Sequence, residues 1–189
     1  QSQMKGEINY TFAKALKTFL RQDPEVILVG EIRDQETGNI AVEAALTGHL
    51  VCSTLHTNSS VETITRLVNM GIPNYLISSS VSLIVGQRLA RKICQECKIE
   101  DKNLSPKLLK QMKLPSDIKA YVGKGCDKCG NAGYKGRQGI YEILKMTEDL
   151  QDGILKNLTI PEMEKIAKKE GFQSMQEIGA TYINEGILS

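Results

Sequence analysis

Four cysteines have the types and spacing of a metal site. They form two Cys-x-x-Cys pairs, Cys94 with Cys97 and Cys126 with Cys129, and 28 residues separate the pairs. Each pair places two thiolates on a tight turn, and two such turns supply the four soft ligands of a tetrahedral zinc ion at about 2.3 Å. Because four sulfur ligands leave no position for a substrate, the pattern predicts a structural zinc ion rather than a catalytic one.

Other interpretations of the cysteines are weaker. Two disulfides would require an oxidising compartment, and the sequence shows no signal peptide or apolar membrane-spanning run. An iron–sulfur cluster is a second alternative, and a thioredoxin-like redox pair would leave the other Cys-x-x-Cys idle. Lys92, Lys98 and Lys128 beside the thiols favour the thiolate form that zinc requires. The fifth cysteine, Cys52, lies in an apolar run and is predicted to be a small buried hydrophobic residue.

Polar residues follow two predicted strands at the points where those strands end. Glu31 comes directly after an apolar run, where an acidic residue can hold Mg²⁺ through water. His56, Thr57 and Asn58 follow a second run and precede a helix, whose N-terminus favours anions such as a terminal phosphate. Each signal has an ordinary alternative, an exposed acid or a loop histidine that caps carbonyl groups. His49 is predicted to be structural.

The elements that must position these residues alternate between helix and strand. The pattern predicts, in order, a helix over Thr11–Leu20, a strand over Val26–Val29, a helix over Glu36–Leu46, a strand over Leu50–Leu55 and a helix from Ser59 or Ser60 to Met70. Continuous apolar strands of this kind are typical of a parallel sheet that is covered on both faces. The order predicts an α/β fold with its chemistry at the carboxyl ends of the strands.

The second half of the chain follows a different pattern. Residues 74–93 read as helical, Ser105 and Pro106 begin a short helix, and residues 139–144 alternate like a strand. Capping boxes from Thr159 to Glu162 and from Ser174 to Glu177 open the last two helices. We expect three parts: residues 1–93, a zinc subdomain over 94–145, and a small helical C-terminal module over 146–189.

Composition limits the classes of function. The 189 residues are 41% hydrophobic, with 24 basic and 22 acidic residues and a net charge of +2. Near neutrality and the absence of Trp argue against a large nucleic-acid interface, so no nucleic-acid partner is predicted. The sequence is expected to form a soluble globular protein of the cytoplasm. Both ends look cut, which predicts a piece of a longer protein.

Several segments resemble the secretion ATPase superfamily. The run LRQDPEVILVGEIRD (residues 20–34) resembles its signature, AALTGHLV (44–51) and STLHTN (53–58) resemble its His box, and QRLAR (87–91) precedes the cysteines as it does there. The tetracysteine motif is similar to that of the type IV pilus assembly and type II secretion ATPases. The resemblance covers nearly the whole chain.

The resemblance implies a fold, a reaction and partners. It implies that residues 1–93 are the C-terminal part of a RecA-like ATPase domain, in which Glu31 takes the Walker B role beside Mg²⁺. His56 takes the His-box role near the γ-phosphate of ATP, and Thr57 lies beside it. It also implies a homo-hexamer at the cytoplasmic face of the inner membrane, associated peripherally through platform and assembly proteins of a pilus or secretion machine. The cofactors implied are ATP, Mg²⁺ and structural Zn²⁺.

Two departures from the family pattern matter. Glu25 replaces an Asp and keeps its charge, but the sequence contains no G-x-x-x-x-G-K-[ST] loop and no acidic box. Without backbone amides and a Lys to cradle the phosphates, this chain alone is expected to be inactive, although the longer protein hydrolyses ATP. The candidates for a trans-acting arginine are Arg21, Arg33, Arg66, Arg88 and Arg91. The default expectation for Arg33 is a surface ion pair with Asp34 or Glu36.

Two other classes compete with the motor. A non-enzymatic zinc-ribbon interaction module would explain the cysteines but not the polar strand ends. A zinc hydrolase would need a water ligand, which four cysteines exclude. The motifs do not separate pilus assembly from type II secretion, because partners choose the polymer that is moved.

Overall fold

The computed structural model describes residues 12–103, 105–111, 114–115 and 117–189. The chain divides into two compact units. The first comprises Gln1–Ile84 with Leu144–Gly171, and the second comprises Val85–Ile143 with Phe172–Ser189.

The first unit begins with alternating helices and strands. Its elements are α1 (Phe12–Phe19), a 3-10 turn (Leu20–Gln22), β1 (Val26–Val29), α2 (Gln35–Leu46), β2 (Leu50–Ser53), α3 (Ser60–Asn69) and α4 (Asn74–Ser80), with α6 (Glu148–Leu155) and α7 (Ile160–Lys169) completing the unit. β1 pairs in parallel with β2, and Val26 stands opposite Leu50. The predicted α/β arrangement with parallel strands is confirmed. The predicted first helix began at Thr11, which lies outside the described residues.

The sheet face that packs against the helices forms the core of this unit. Leu16 of α1 and Ile40 and Ala44 of α2 join Ile27 and Val29 of β1 in one buried cluster. Alternate strand residues point to one face, so Ile27 and Val29 meet both helices.

The prediction that both faces of the sheet are covered is wrong for the described chain. Val26 is 60% and Leu28 is 78% exposed, although Ile27 and Val29, which alternate with them, are buried. Cys52 stands opposite Leu28 in the parallel register and is exposed with it. The prediction that Cys52 is buried is therefore also wrong, because its strand position directs it away from the helices.

The prediction of one helix over residues 74–93 is wrong beyond Ser80. The chain leaves α4 there and enters β3 (Leu83–Ile93), an extended strand whose partner is β6 (Tyr134–Lys145). That partner lies some fifty residues further on, so a local pattern of apolar spacing does not reveal it. The predicted strand over residues 139–144 is confirmed as part of β6.

The second unit contains most of β3 and β6, a small antiparallel pair, and the last helix. β4 (Lys98–Glu100) pairs with β5 (Tyr121–Gly123), with Lys98 opposite Gly123. Between them lies α5 (Pro106–Gln111), the short helix that was predicted. α8 (Met175–Asn184) closes the unit.

The predicted capping boxes open α7 and α8. The Thr159 backbone N–H donates to Glu162 Oε2 at 2.8 Å, and the Ser174 backbone N–H donates to Glu177 Oε2 at 2.8 Å. Ser59 is the residue that caps α3, where its Oγ accepts the Glu62 backbone N–H. No helix among the described residues is both long and apolar enough to cross a bilayer.

Glu142 is a buried carboxylate that anchors the last helix. The side chain lies on β6 and the residue is only 2% exposed. Its Oε2 accepts the backbone N–H of Met175, the first residue of α8, at 2.8 Å. Gly86 of β3 leaves room for it, since a Cβ at that position would come within 2.8 Å of Glu142 Cγ. A carboxyl oxygen at a helix N-terminus accepts a hydrogen bond from a backbone N–H that the helix itself leaves without a partner.

We expect Glu142→Ala to lower the free energy of unfolding by about 2 kcal/mol or more, because it leaves a cavity and an unpaired donor. Glu142→Gln retains the volume and an oxygen acceptor, so its loss should be distinctly smaller. Urea denaturation followed by circular dichroism measures both. Equal losses for the two variants would show that the hydrogen bond to α8 is unimportant.

Candidate active site and metal centre

Two strand-end segments are tied together directly after β1 and β2. The Ile32 backbone N–H donates to the Thr54 carbonyl at 3.1 Å, and Thr54 Oγ1 donates to the Gly30 carbonyl at 2.7 Å. These two bonds continue the parallel pairing past the last ladder residues. The segments that carry Glu31 and His56 are therefore held side by side at the carboxyl edge of the strands.

The structure brings Glu31 and His56 together. Glu31 Oε2 lies 3.4 Å from His56 Nε2, and the Arg33 guanidinium pairs with the same carboxylate oxygen. The Glu31 side chain is 24% exposed, whereas that of His56 is 84% exposed. The carboxylate is thus partly enclosed, and the imidazole faces solvent beside it. Their catalytic roles stay a prediction.

Arg33 controls the charge of this carboxylate. Its hydrogen bond to Glu31 is the largest cause that lowers the Glu31 pKa, and it outweighs the partial desolvation that raises the pKa. The charges of Arg33 and His56 lower it further. The same pair raises the Arg33 pKa above its ordinary value. Glu31 is therefore ionised at neutral pH, which is the form that holds a hydrated cation or polarises a water molecule.

The default expectation for the partner of Arg33 was wrong. Asp34 caps α2, where its Oδ1 accepts the Thr37 backbone N–H at 2.8 Å. Glu36 lies 3.9 Å from the Lys17 ammonium. Both acidic side chains are directed to other groups, and the partner of Arg33 is Glu31, two residues before it. That spacing places both side chains on one side, a signal the sequence analysis missed.

Thr57 and Asn58 are engaged with the start of α3. Thr57 Oγ1 lies 2.8 Å from Thr63 Oγ1, and the Asn58 backbone N–H donates to Glu62 Oε2 at 3.2 Å. Thr63 in turn donates to the Ser59 carbonyl at 3.1 Å. Thr57, which was predicted to bind a cofactor, is thus held against the first turn of α3 and follows His56 in the chain.

His49 has a structural position. Its Nδ1 lies 3.0 Å from the Ala44 carbonyl oxygen and 3.2 Å from Thr47 Oγ1, both at the end of α2. The Ala44 carbonyl also accepts the backbone N–H groups of Thr47 and His49, so the imidazole adds to the contacts that close the C-terminal end of α2. The two histidines of the chain therefore lie in different environments, and His56 is the one beside Glu31.

The four predicted cysteine ligands also come together. The Sγ atoms of Cys94 and Cys126 lie 3.8 Å apart, those of Cys97 and Cys129 3.9 Å, and those of Cys126 and Cys129 3.8 Å. All four lie within 4.8 Å of one another. A regular tetrahedron with zinc–sulfur bonds of about 2.3 Å has sulfur edges of about 3.8 Å, so three of the six sulfur pairs have the spacing of a zinc site.

The thiols differ in acidity. Burial raises the pKa of Cys97 to about 12 and also raises that of Cys126. At Cys129, burial raises the pKa but is outweighed by hydrogen bonds from the backbone N–H groups of Cys126 and Gly133, so the pKa is about 7. A metal that binds all four as thiolates must therefore release protons, and its affinity rises with pH.

Glycines allow the two cysteine turns to approach closely. The Gly133 carbonyl accepts the Cys94 backbone N–H at 2.9 Å, which joins the second turn to the first. Gly133 has φ of 75°, and a Cβ on Gly123 would lie 2.1 Å from the Gly133 carbonyl oxygen. A side chain at either position would separate the turns, so these glycines belong to the metal centre.

The fold is that of secretion motor ATPases. A solved structure described as the pilus retraction motor PilT with bound ADP resembles it with a TM-score of 0.63 and 29% sequence identity, over 95% of this chain and 41% of that one. The family model described as type II/IV secretion system protein matches residues 1–189, and the chain belongs to that family.

The curated relatives are named as ATPases. The type IV pilus assembly ATPase PilB of Pseudomonas aeruginosa is 50% identical over 182 residues, which cover 94% of this chain and 32% of that protein. The type II secretion system ATPase E of Vibrio cholerae is 43% identical over 190 residues, 100% of this chain and 38% of that protein. The chain thus spans about a third of the length of each of these two relatives.

We expect Arg33→Gln to raise the Glu31 pKa towards its ordinary value of 4.5, because the variant loses the hydrogen bond and the charge that lower it. NMR titration of the side-chain carboxyl carbons measures this. The lowered pKa means that the pair stabilises the fold above the unfolded pKa and that this contribution disappears as pH falls through the folded pKa. Stability of the variant should therefore depend less on pH in that acidic window. Arg21→Gln, at an exposed arginine, is the control and should leave the Glu31 titration unchanged.

Proposed function

We propose that this chain is part of an ATP-hydrolysing motor subunit that powers type IV pilus assembly or type II protein secretion. The observation that carries the proposal is the pairing of Glu31 with His56 at the ends of two parallel strands, in a chain of the secretion family. Because the chain spans about a third of the length of each of the two relatives described above, the activity of the longer protein belongs to the proposal.

In this proposal Glu31 is the Walker B carboxylate. Its ionisation, supported by Arg33, suits a group that holds the water shell of Mg²⁺ or orients an attacking water molecule. Bound Mg²⁺ would supply charge neutralisation at the transferred phosphate. The residue's partial enclosure limits competing solvent, while the backbone bonds between the strand-end segments keep the carboxylate in place.

His56 is proposed to act as the His-box residue near the γ-phosphate. Its exposed Nε2 points a hydrogen-bonding group at the space beside Glu31, where developing charge on a phosphate oxygen would be stabilised. Thr57, which follows His56 at the same strand end, would also bind the nucleotide. ATP is the proposed substrate, and catalysis would come mainly from positioning and electrostatics.

Zinc is the proposed occupant of the four-cysteine cluster, in a structural role. Four thiolates would hold it closed to substrate, and such a site supplies apparent binding energy of roughly 10 to 16 kcal/mol. We propose that it orders the residues between the two cysteine turns as a docking surface for inner-membrane platform or assembly proteins. The longer protein would form a homo-hexamer at the cytoplasmic face of the inner membrane, without a nucleic-acid partner.

The predicted division of the chain enters the proposal as three working parts. Residues 1–93 would contribute the Walker B and His-box end of a RecA-like domain, residues 94–145 the zinc subdomain, and residues 146–189 a helical module. A purely non-enzymatic zinc-ribbon function is not favoured, because the relatives that match are named as ATPases.

We expect Glu31→Gln and His56→Ala each to lower the ATPase rate of the longer protein by about a hundredfold, since each removes a group that acts on the reacting phosphate or water. The steady-state release of phosphate measures this, with nucleotide binding followed separately by fluorescence. Glu36→Gln is the matched control, because it removes an exposed carboxylate outside the proposed site.

The 189-residue chain by itself should show no turnover, since it has no phosphate-binding loop. Retention of more than about a third of the rate by Glu31→Gln would contradict the Walker B assignment. Protein-dependent hydrolysis by the 189-residue chain would contradict its expected inactivity.

We expect the chain to bind one equivalent of Zn²⁺, and Co²⁺ in its place to show the absorption bands of tetrahedral thiolate coordination. The double variant Cys97→Ser, Cys126→Ser should lose the metal and unfold at a lower temperature. Cys52→Ser should retain one equivalent, because Cys52 lies outside the cluster. Metal analysis after gel filtration decides between these outcomes, and a double variant that kept full occupancy would rule the cluster out as the zinc site.

A further inference from the structure

The last residues of the chain are bound to the first cysteine turn. The Ile93 backbone N–H donates to the Ile187 carbonyl at 2.9 Å, and Gln95 Nε2 donates to the Gly186 carbonyl at 3.0 Å. Lys98 Nζ donates to the same carbonyl at 3.2 Å. Ile93 and Gln95 flank Cys94, and Lys98 follows Cys97. The chain end therefore binds the short stretch of backbone that carries two metal ligands.

The second cysteine turn contacts the chain end as well. Tyr134, just after that turn, has its hydroxyl 2.9 Å from Ser189 Oγ, and the Arg91 guanidinium lies 4.4 Å from the centre of its ring. The Lys119 backbone N–H donates to Asn184 Oδ1 at 3.1 Å. The segment over 184–189 thus bridges residues on both sides of the metal centre, and we call it the C-terminal segment.

Part of the C-terminal segment is buried against the residues around the first cysteine turn. Leu188 and Gly186 are buried, as are Ile93 and Cys94. Gly186 has φ of 68°, and a Cβ there would come within 2.9 Å of Lys98 Nζ and 3.1 Å of the Tyr121 ring. The fit requires Lys98 and Tyr121, on β4 and β5, to keep their positions relative to the first turn.

Ile93 is the last residue of β3 and is held by the β3–β6 pair, whereas Gln95 and Lys98 lie beyond that pair, where the described strands are short. β4 and β5 are three residues each, and 28 residues separate the two cysteine pairs. A three-residue antiparallel pair closes a loop of that length weakly, because the entropy of loop closure offsets most of its hydrogen bonding. A metal that bridges both turns removes that entropic cost.

We propose that metal binding at the four cysteines docks the C-terminal segment, so that loss of the metal releases residues 184–189 while the first turn of α8 stays attached. A separate contact explains why the first turn of α8 would stay attached when residues 184–189 are released. Glu142 holds Met175 at the start of α8 through a bond that involves no residue of the cysteine turns. The inference rests on the zinc site of the proposed function. It assigns the chain end as the element that responds to metal.

The coupling is reciprocal, because docking that metal strengthens must in turn strengthen metal binding by the same factor. Removal of residues 186–189 should therefore weaken zinc binding at least about fivefold, the low end of typical coupling between sites. Competition with a chromophoric chelator measures the change. An affinity that stays within about twofold of the intact chain would contradict the coupling.

Hydrogen exchange with mass spectrometry tests the release in the intact 189-residue chain, with Zn²⁺ bound, after chelation, and after Zn²⁺ is restored. We expect peptides over 184–189 and 93–98 to lose protection on chelation and regain it with metal. The first turn of α8 should change far less, and α2, in the other unit, should not change.

A pair of variants in the first turn separates metal binding from docking. Gln95→Ala removes the side-chain bond to Gly186 and should expose residues 184–189 while it keeps one equivalent of Zn²⁺. Glu96→Ala, the exposed neighbour in the same turn, is the control and should match the unmodified chain.

The possible outcomes are distinguishable. If the chain takes up no Zn²⁺, the zinc proposal and this inference both fail. If it takes up Zn²⁺ and the segment is equally protected with and without metal, the inference alone fails. If chelation exposes α8 from its first turn onwards to the same extent as the segment, the metal stabilises the whole unit, and the specific coupling is wrong.

Discussion

The parallel pairing of β1 with β2 is the constraint on which the candidate active site depends. Parallel strands end at the same edge of a sheet, so the residue after Val29 and the residue after Ser53 must emerge side by side. The bonds from Ile32 and Thr54 extend that pairing into the two loops. Glu31 and His56 are 25 positions apart in the sequence, and this pairing puts them in contact.

Partial burial of the Glu31 carboxylate is unfavourable for its charged form, and Arg33 offsets this effect. A partly enclosed carboxylate is less well hydrated than an exposed one, and desolvation by itself raises its pKa. The guanidinium beside it reverses the direction and keeps the group ionised. The same contact leaves Arg33 occupied, so any motion of Arg33 would change the pKa of Glu31 and remove a partner that orients its carboxylate. The arginine is therefore part of the site electrostatically, whatever ligand the carboxylate takes.

The cysteine cluster lies in a part of the chain that has little regular secondary structure. Two three-residue strands and a six-residue helix are the regular elements described between the cysteine turns, and they accompany a small set of buried apolar residues, Leu109, Ile118 and Ala120. Four sulfur atoms within 4.8 Å of one another, with Gly123 and Gly133 allowing the turns to meet, form a cluster that could hold a metal ion. The C-terminal segment packs against the first cysteine turn. The cysteine cluster and residues 184–189 thus share the backbone from Ile93 to Lys98.

The local features of the chain were accessible from its sequence. Cysteine spacing, capping boxes, the two parallel strands and the polar residues at their ends all depend on neighbours a few positions away, and the structure has them where the patterns predict. The family resemblance was also visible in contiguous motifs, and the family match confirms it. Turn and cap chemistry acts over three or four residues, which is the range that a single sequence displays.

Tertiary structure decided what depends on distant residues. The sequence pattern of β3 predicted a helix, but pairing with β6 makes it a strand. Cys52 was predicted to be buried, but it stands opposite Leu28 and is exposed on the open face of the sheet. The docking of Gly186 on Gln95 and Lys98 likewise joins positions about ninety residues apart. The amino-acid sequence by itself determined which side chains can do chemistry. Only packing and strand pairing decided which of them meet, because the free energy of such contacts belongs to the folded chain and not to any local segment of it.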